Sequence, residues 1–193
     1  MKRWCALLPL VLALGCPPSD PEPVEPPPAT DSGSGEGDSQ RARAKQAAQE
    51  LGKRLKARLR EALQAGGPAA GIAACKLAAP DVTGTVAEEQ GLRVGRTSFK
   101  LRNPENTPPE WAVADVAARR ETPAFHEGED GSLRALLPIT LEATCTLCHG
   151  PAESLSSEVV AALAEGYPDD QATGFEEGDL RGWFWVEVPA AGD

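Results

Sequence analysis

Five consecutive residues carry the clearest chemistry in this chain: Cys145-Thr146-Leu147-Cys148-His149. Two thiols three positions apart, with a histidine directly after the second, can share one side of a single helical turn. C-x-x-C-H is the attachment signature of a c-type haem. The thiols form thioether bonds to the haem vinyl groups, and the histidine becomes the proximal iron ligand. The same residue types also serve a dithiol redox pair or a zinc site completed by a fourth ligand from elsewhere. The fixed place of His149 favours one covalent haem c.

Such an iron has a second axial position, usually filled by Met or His. The only methionine is Met1, and the only other histidine is His126, in the acidic stretch Phe125-His126-Glu127-Gly128-Glu129-Asp130. The chain has five cysteines. Cys145 and Cys148 belong to the motif, while Cys5 and Cys16 lie in an N-terminal segment of another kind. Cys75 is the thiol left over, which in an exported protein calls for an explanation. The residues alone leave Cys75, His126 and an open or water-filled position as alternatives.

The N-terminus reads as an export signal. Lys2 and Arg3 precede an apolar run, Ala6 to Leu14, that is too short to span a bilayer. Leu12-Ala13-Leu14-Gly15-Cys16 resembles a lipoprotein cleavage site, with Ala13 where Leu is usual. Cleavage would remove residues 1–15 and leave Cys16 as a lipidated first residue. The protein would then sit in the periplasm or cell envelope, anchored to the inner or outer membrane. Residues 16–39 are Pro-rich, then Asp/Ser/Gly/Glu-rich, and read as a disordered tether. Loss of Lys2 and Arg3 would reduce 19 basic residues to 17 against 29 acidic ones, near −12. That balance argues against nucleic acid as a partner.

Residues 40–193 are the length of one folded domain. A helix is expected from Ser39-Gln40, with Leu51, Leu55, Leu59 and Leu63 in one row that Ala44 and Ala48 extend. This row is core packing or a homodimer seam through the 40–65 helix. Gly66-Gly67-Pro68 should end that helix and start a second, Ala-rich one carrying Cys75. Pro80 should interrupt or kink it, with Asp81–Glu89 continuing. Alternation predicts extended structure around Leu92–Val94 and Phe99–Leu101. Residues 108–119 look like a short helix with Trp111 and Val113 inward, and Glu121–Ser132 like a loop. Strands are expected over Leu133–Ile139 and Gly182–Pro189, with a helix over Ser154–Glu165. The sum is an α+β domain.

Several stretches together resemble a known family. They are Cys75 in its Ala-rich helix, Gly95-Arg96-Thr97-Ser98, and Leu101-Arg102-Asn103-Pro104-x-Asn106. Cys-x-x-Cys-His-Gly, Tyr167-Pro168-x-Asp170-x-Ala172-x-Gly174-Phe175 and Glu177-Gly178-Asp179-Leu180-Arg181-Gly182 complete the set. The combination is similar to the PAS-like c-type haem domain of exported bacterial proteins and histidine-kinase sensors, over residues 42 to 188. The resemblance implies a PAS-like antiparallel sheet with long N-terminal helices. It also implies His149 and a Cys75 thiolate on opposite sides of the iron. Arg96, Arg102 or Asn103 would then help hold the haem propionates, as Arg suits carboxylates, or would close turns instead. The function expected is a redox or gas sensor module in which loss of Cys75 on reduction opens a position for a diatomic gas. A separate signalling protein or redox partner would receive the output. A small electron carrier is the alternative, and a structural zinc protein a lesser one. Enzymatic turnover is not expected, because His126 is the sole distal acid–base candidate.

Overall fold

The computed structural model describes residues 32–190 and residue 192. The signal segment 1–15, Cys16 and the tether as far as residue 31 lie outside the described residues. Among the described residues no helix is long and apolar enough to cross a membrane.

Helix α1 spans Ser32–Gln90 and consists of two arms joined at Gly66 (φ −159°, ψ 27°) and Gly67 (φ 68°, ψ −164°). It starts upstream of Ser39, inside the stretch whose composition suggested a tether. The first firm attachment is Gln40, whose Nε2 donates to the carbonyls of Gly131 and Pro189 at 3.0 Å each. The arms fold back on each other. Arg43 Nη2 donates to the Gln90 carbonyl at 3.1 Å, and Arg54 Nη2 to Glu89 Oε2 at 2.6 Å. A Cβ on Gly71 would stand 3.1 Å from the side chains of both Leu59 and Leu63, so a small residue sets the closeness of the arms. Pro80 does not break the second arm, which keeps helical φ/ψ through to Gln90.

The leucine row is consumed within the domain. Ala44, Ala48 and Leu51 are buried against the sheet, and Leu55 packs beside them. Leu59 and Leu63 line a cavity. The row thus serves both the core and the cavity wall of this domain.

The sheet has four antiparallel strands in the order β1-β4-β3-β2. These are β1 Arg93–Thr97, β2 Ala124–Glu127, β3 Leu133–Thr140 and β4 Leu180–Val188. The class is α+β, as the pattern implied. β4 is central and alternates between two covered faces. Val186 and Val188 join Leu133, Ala135 and Leu137 under α1. Trp183 turns the other way, onto Leu136, Ala112 and Val116, and its Nε1 donates to the Arg120 carbonyl at 2.7 Å.

Three local expectations are corrected. The polar stretch Glu121–Ser132 contains β2, because pairing with β3 supplies its backbone bonds. Phe99–Leu101 forms no strand. In α2, Val113–Ala117, Val113 is 49% exposed, while Asp115 and Val116 are buried. Asp115 turns α2 inward by accepting from Arg120 Nε at 2.7 Å and pairing with His126 Nε2 at 2.7 Å.

Candidate functional site

The C-x-x-C-H residues form a 3-10 turn, Ala143–Cys145, that runs into helix α3, Thr146–His149. Gly150 ends α3, and its N–H donates to the Thr146 carbonyl at 2.8 Å. A Cβ at 150 would lie 2.6 Å from that same carbonyl oxygen, so only glycine allows so abrupt an exit.

Cys145, Cys148 and His149 line one cavity of about 500 Å³. This is an ordinary size for a ligand pocket, for which about 300–1,000 Å³ is usual. Cys75, Arg96, Arg102 and Asn103 line it too, as do Leu55, Leu59, Leu63 and Ile72 from α1. His126 does not, since it is engaged with Asp115 and lies 5.9 Å from the Trp111 ring. The structure therefore brings together every predicted site residue of the described region except the alternative ligand His126.

The histidine is held from behind. Its Nδ1 is 2.7 Å from the Ala172 carbonyl oxygen, which can only accept, so Nδ1 carries the proton and Nε2 keeps its lone pair. Phe175 meets the ring edge-on at 6.4 Å and 86°. Burial pushes the His149 pKa down to about 3, with the charges of Arg102 and Arg181 adding to it. A neutral imidazole with Nδ1 hydrogen-bonded and Nε2 free is the form that binds a metal.

The thiols are free. Burial pushes Cys148 upward, opposed by Arg102. Cys75 is exposed along the cavity wall, yet close enough to the other walls that desolvation still raises its pKa, with Arg96 and Arg102 pulling the other way. Among the described residues no group of three or more His, Cys, Asp or Glu is arranged to hold a metal ion.

The three residues expected to meet propionates divide. Arg102 is engaged: it pairs with Asp170 through Nε (3.2 Å) and Nη2 (3.0 Å), and Nη2 also donates to the Cys148 carbonyl at 2.6 Å. Asn103 Oδ1 accepts from the Glu105 N–H at 3.1 Å, a turn-closing bond. Arg96 stands apart. Burial lowers its pKa, opposed by the charges of Cys75 and Tyr167. Arg181 belongs to the Glu177–Gly182 stretch, and the sequence alone assigns it no role. It also lines the cavity, burial lowers its pKa to about 10, and its buried Nε has no hydrogen-bond partner. The sequence alone likewise assigns no role to Ala172 and Phe175 in the Tyr167–Phe175 stretch. Nothing in a single sequence marks a backbone carbonyl as the partner of a particular histidine.

An apolar-walled cavity with under-partnered guanidinium groups fits a large, flat, apolar ligand bearing carboxylates. A buried donor without an acceptor, as at Arg181 Nε, costs about 1–3 kcal/mol, which an anionic group would relieve. A haem has both properties.

The molecule is thus an α+β domain in which an open antiparallel sheet and a folded-back helix enclose a C-x-x-C-H motif beside a cavity. The chain belongs to the Tll0287-like family, whose model matches residues 36–189. A crystal structure of the cyanobacterial haem protein Tll0287 superposes with a TM-score of 0.49 at 26% identity, covering 60% of this chain and 71% of that one. No curated protein matches.

Proposed function

We propose that this chain is an exported single-haem c-type protein that works as a redox or gas sensor module, held at a membrane by lipid on Cys16. Cys145 and Cys148 would carry the haem covalently, and His149 Nε2 would be the proximal iron ligand. Cys75 would be the distal one. Haem at this site would supply a one-electron iron couple whose potential the axial ligands set. Family membership and the haem content of Tll0287 support haem here. The observation that carries the reading is the His149 bond to Ala172, which aims a free Nε2 from the motif helix while Cys75 lines the same cavity.

The chain's own residues divide the work. Arg96 and Arg181 would take the carboxylates, and the leucines of α1 keep water from the apolar face. Arg102 and Asp170 fix the motif helix. Cys75 is the residue whose ligation would change with oxidation state, and a separate signalling protein would read that change. No catalytic turnover is part of this proposal.

An electron carrier is the second reading. Leu147, between the two thiols, is 51% exposed and brings the motif to the surface, where a redox partner could approach. Spectra of the protein matured with c-type haem separate the two. A denaturing haem stain should be positive, and the ferric spectrum should be low-spin and thiolate-like, changing ligation on reduction. Ligation that is unchanged on reduction would favour the carrier, and a colourless protein would end both readings.

A further inference from the structure

A buried ion pair gives little reason for itself in stability, because desolvation offsets the attraction. Arg102 and Asp170 form such a pair, their side chains 13% and 9% exposed. What they touch is informative. Arg102 Nη2 donates to the Cys148 carbonyl, one residue before His149, and to the Ala172 carbonyl at 3.3 Å. Ala172 O is the oxygen that accepts the His149 Nδ1 proton. Asp170 Oδ1 accepts from the Ala172 N–H at 2.8 Å, fixing that peptide from its other side. The pair therefore grips both the backbone that carries the imidazole and the peptide that takes its proton.

We infer that Arg102 and Asp170 are positioning residues for His149: they hold the Ala172 carbonyl on Nδ1, so that Nε2 alone faces the cavity, and their balance of charge sets the field at the imidazole. Arg102 holds Ala172 O in place, and its positive charge acts on the imidazole. Asp170 neutralises Arg102 and limits its field at the imidazole. Removing either charge should shift the site in opposite directions, which a merely structural pair would not do. Three backbone bonds hold the same segment independently: Gln171 N to Leu101 O, Gly174 N to Gly150 O and Phe175 N to His149 O, at 2.8 to 3.0 Å. The segment therefore has support that single substitutions at 102 or 170 leave in place.

The test uses Arg102→Gln, Asp170→Asn and Arg102→Lys in the full chain. In the haem-free protein, ¹⁵N resonances of His149 should report one Nδ1–H tautomer in the parent and loss of that single form in Arg102→Gln. In the haem-loaded protein the midpoint potential should fall in Arg102→Gln, rise in Asp170→Asn and stay nearest the parent in Arg102→Lys. If Arg102→Gln fails to fold, Asp170→Asn decides, because Asn keeps an oxygen for the Ala172 N–H. A single tautomer in every variant, or potentials that are unmoved or move in one direction, overturns the inference. The potential measurement rests on the haem reading; the tautomer measurement does not. A parent protein without haem would sink that reading and leave the tautomer result standing.

Discussion

The two walls of the cavity are built differently. On the motif side, His149, Cys148 and their neighbours are tied by hydrogen bonds to Arg102, Asp170, Ala172 and Phe175. On the α1 side, Cys75 sits among small residues, and its arm is held there by packing. Ile72 packs on Val159, Leu163 and Tyr167, and Lys76 Nζ lies 5.9 Å from the Tyr167 ring centre. The hydroxyl of Thr83, also on the cavity, bonds only within its own helix, to Ala79 O. Directional bonds fix orientation, whereas apolar contact fixes proximity. One wall is thus made to present a ligand in a single pose, and the other to bring a thiol near without locking it. This asymmetry suits a permanent proximal ligand and an exchangeable distal one.

The largest test of the contrast is covalent. Replacing Cys145 and Cys148 together by Ala should abolish the haem stain on a denaturing gel. A remaining covalent band would mean that the motif is not the attachment point.

Cys75→Ala should keep the covalent haem and the fold but lose the thiolate character of the ferric spectrum. An unchanged ferric spectrum would remove Cys75 from the iron and with it the sensor mechanism.

Backbone substitutions probe the walls themselves. Gly182 has φ +156°, and a Cβ there would lie 2.3 Å from the Thr97 carbonyl oxygen. Gly182→Ala should cost about 1–3 kcal/mol from strain, read as a lower denaturation midpoint. Gly71→Ala, between the helical arms, meets only the leucine side chains of Leu59 and Leu63 and gains helix propensity. It should stay within about 1 kcal/mol of the parent.

The pH dependence concerns the motif wall alone. An unfolded chain takes up the His149 proton near the usual 6.5, and the folded one not until about 3. Stability of the haem-free protein should therefore fall as pH drops through that window. His149→Gln should flatten this slope in urea titrations. The residual slope belongs to carboxylates such as Glu142, whose pKa its bond with Lys56 holds low. An equal slope in both proteins would show that burial of the imidazole is not what drives it.

Much of this was legible in the sequence. The 3.6-residue row from Leu51 to Leu63, the Gly66-Gly67-Pro68 break and the motif spacing each state their outcome locally. So does β4, whose aromatic and β-branched run reads as a doubly covered strand. β2 was not legible, since it is four residues inside a polar stretch and its strand character comes from a neighbour. Val113 misled because α2 is oriented by Asp115 and its partners, which bury Val116 and leave Val113 outside. For Arg102 the sequence left a propionate contact and a turn-closing role open, and its bond to Asp170, 68 positions away, was not legible. Ion pairs across such separations carry no local signal.

Gly66 and Gly67 have a further consequence, one of length. An unbroken α1 of 59 residues would be a rod of about 90 Å, at 1.5 Å per residue. Doubling back at two residues halves that span and sets position 71 against positions 59 and 63. Gly67, at φ 68° and ψ −164°, occupies a region essentially reserved for glycine. The address of the Cys75 sulfur is therefore written largely in a residue that has no side chain.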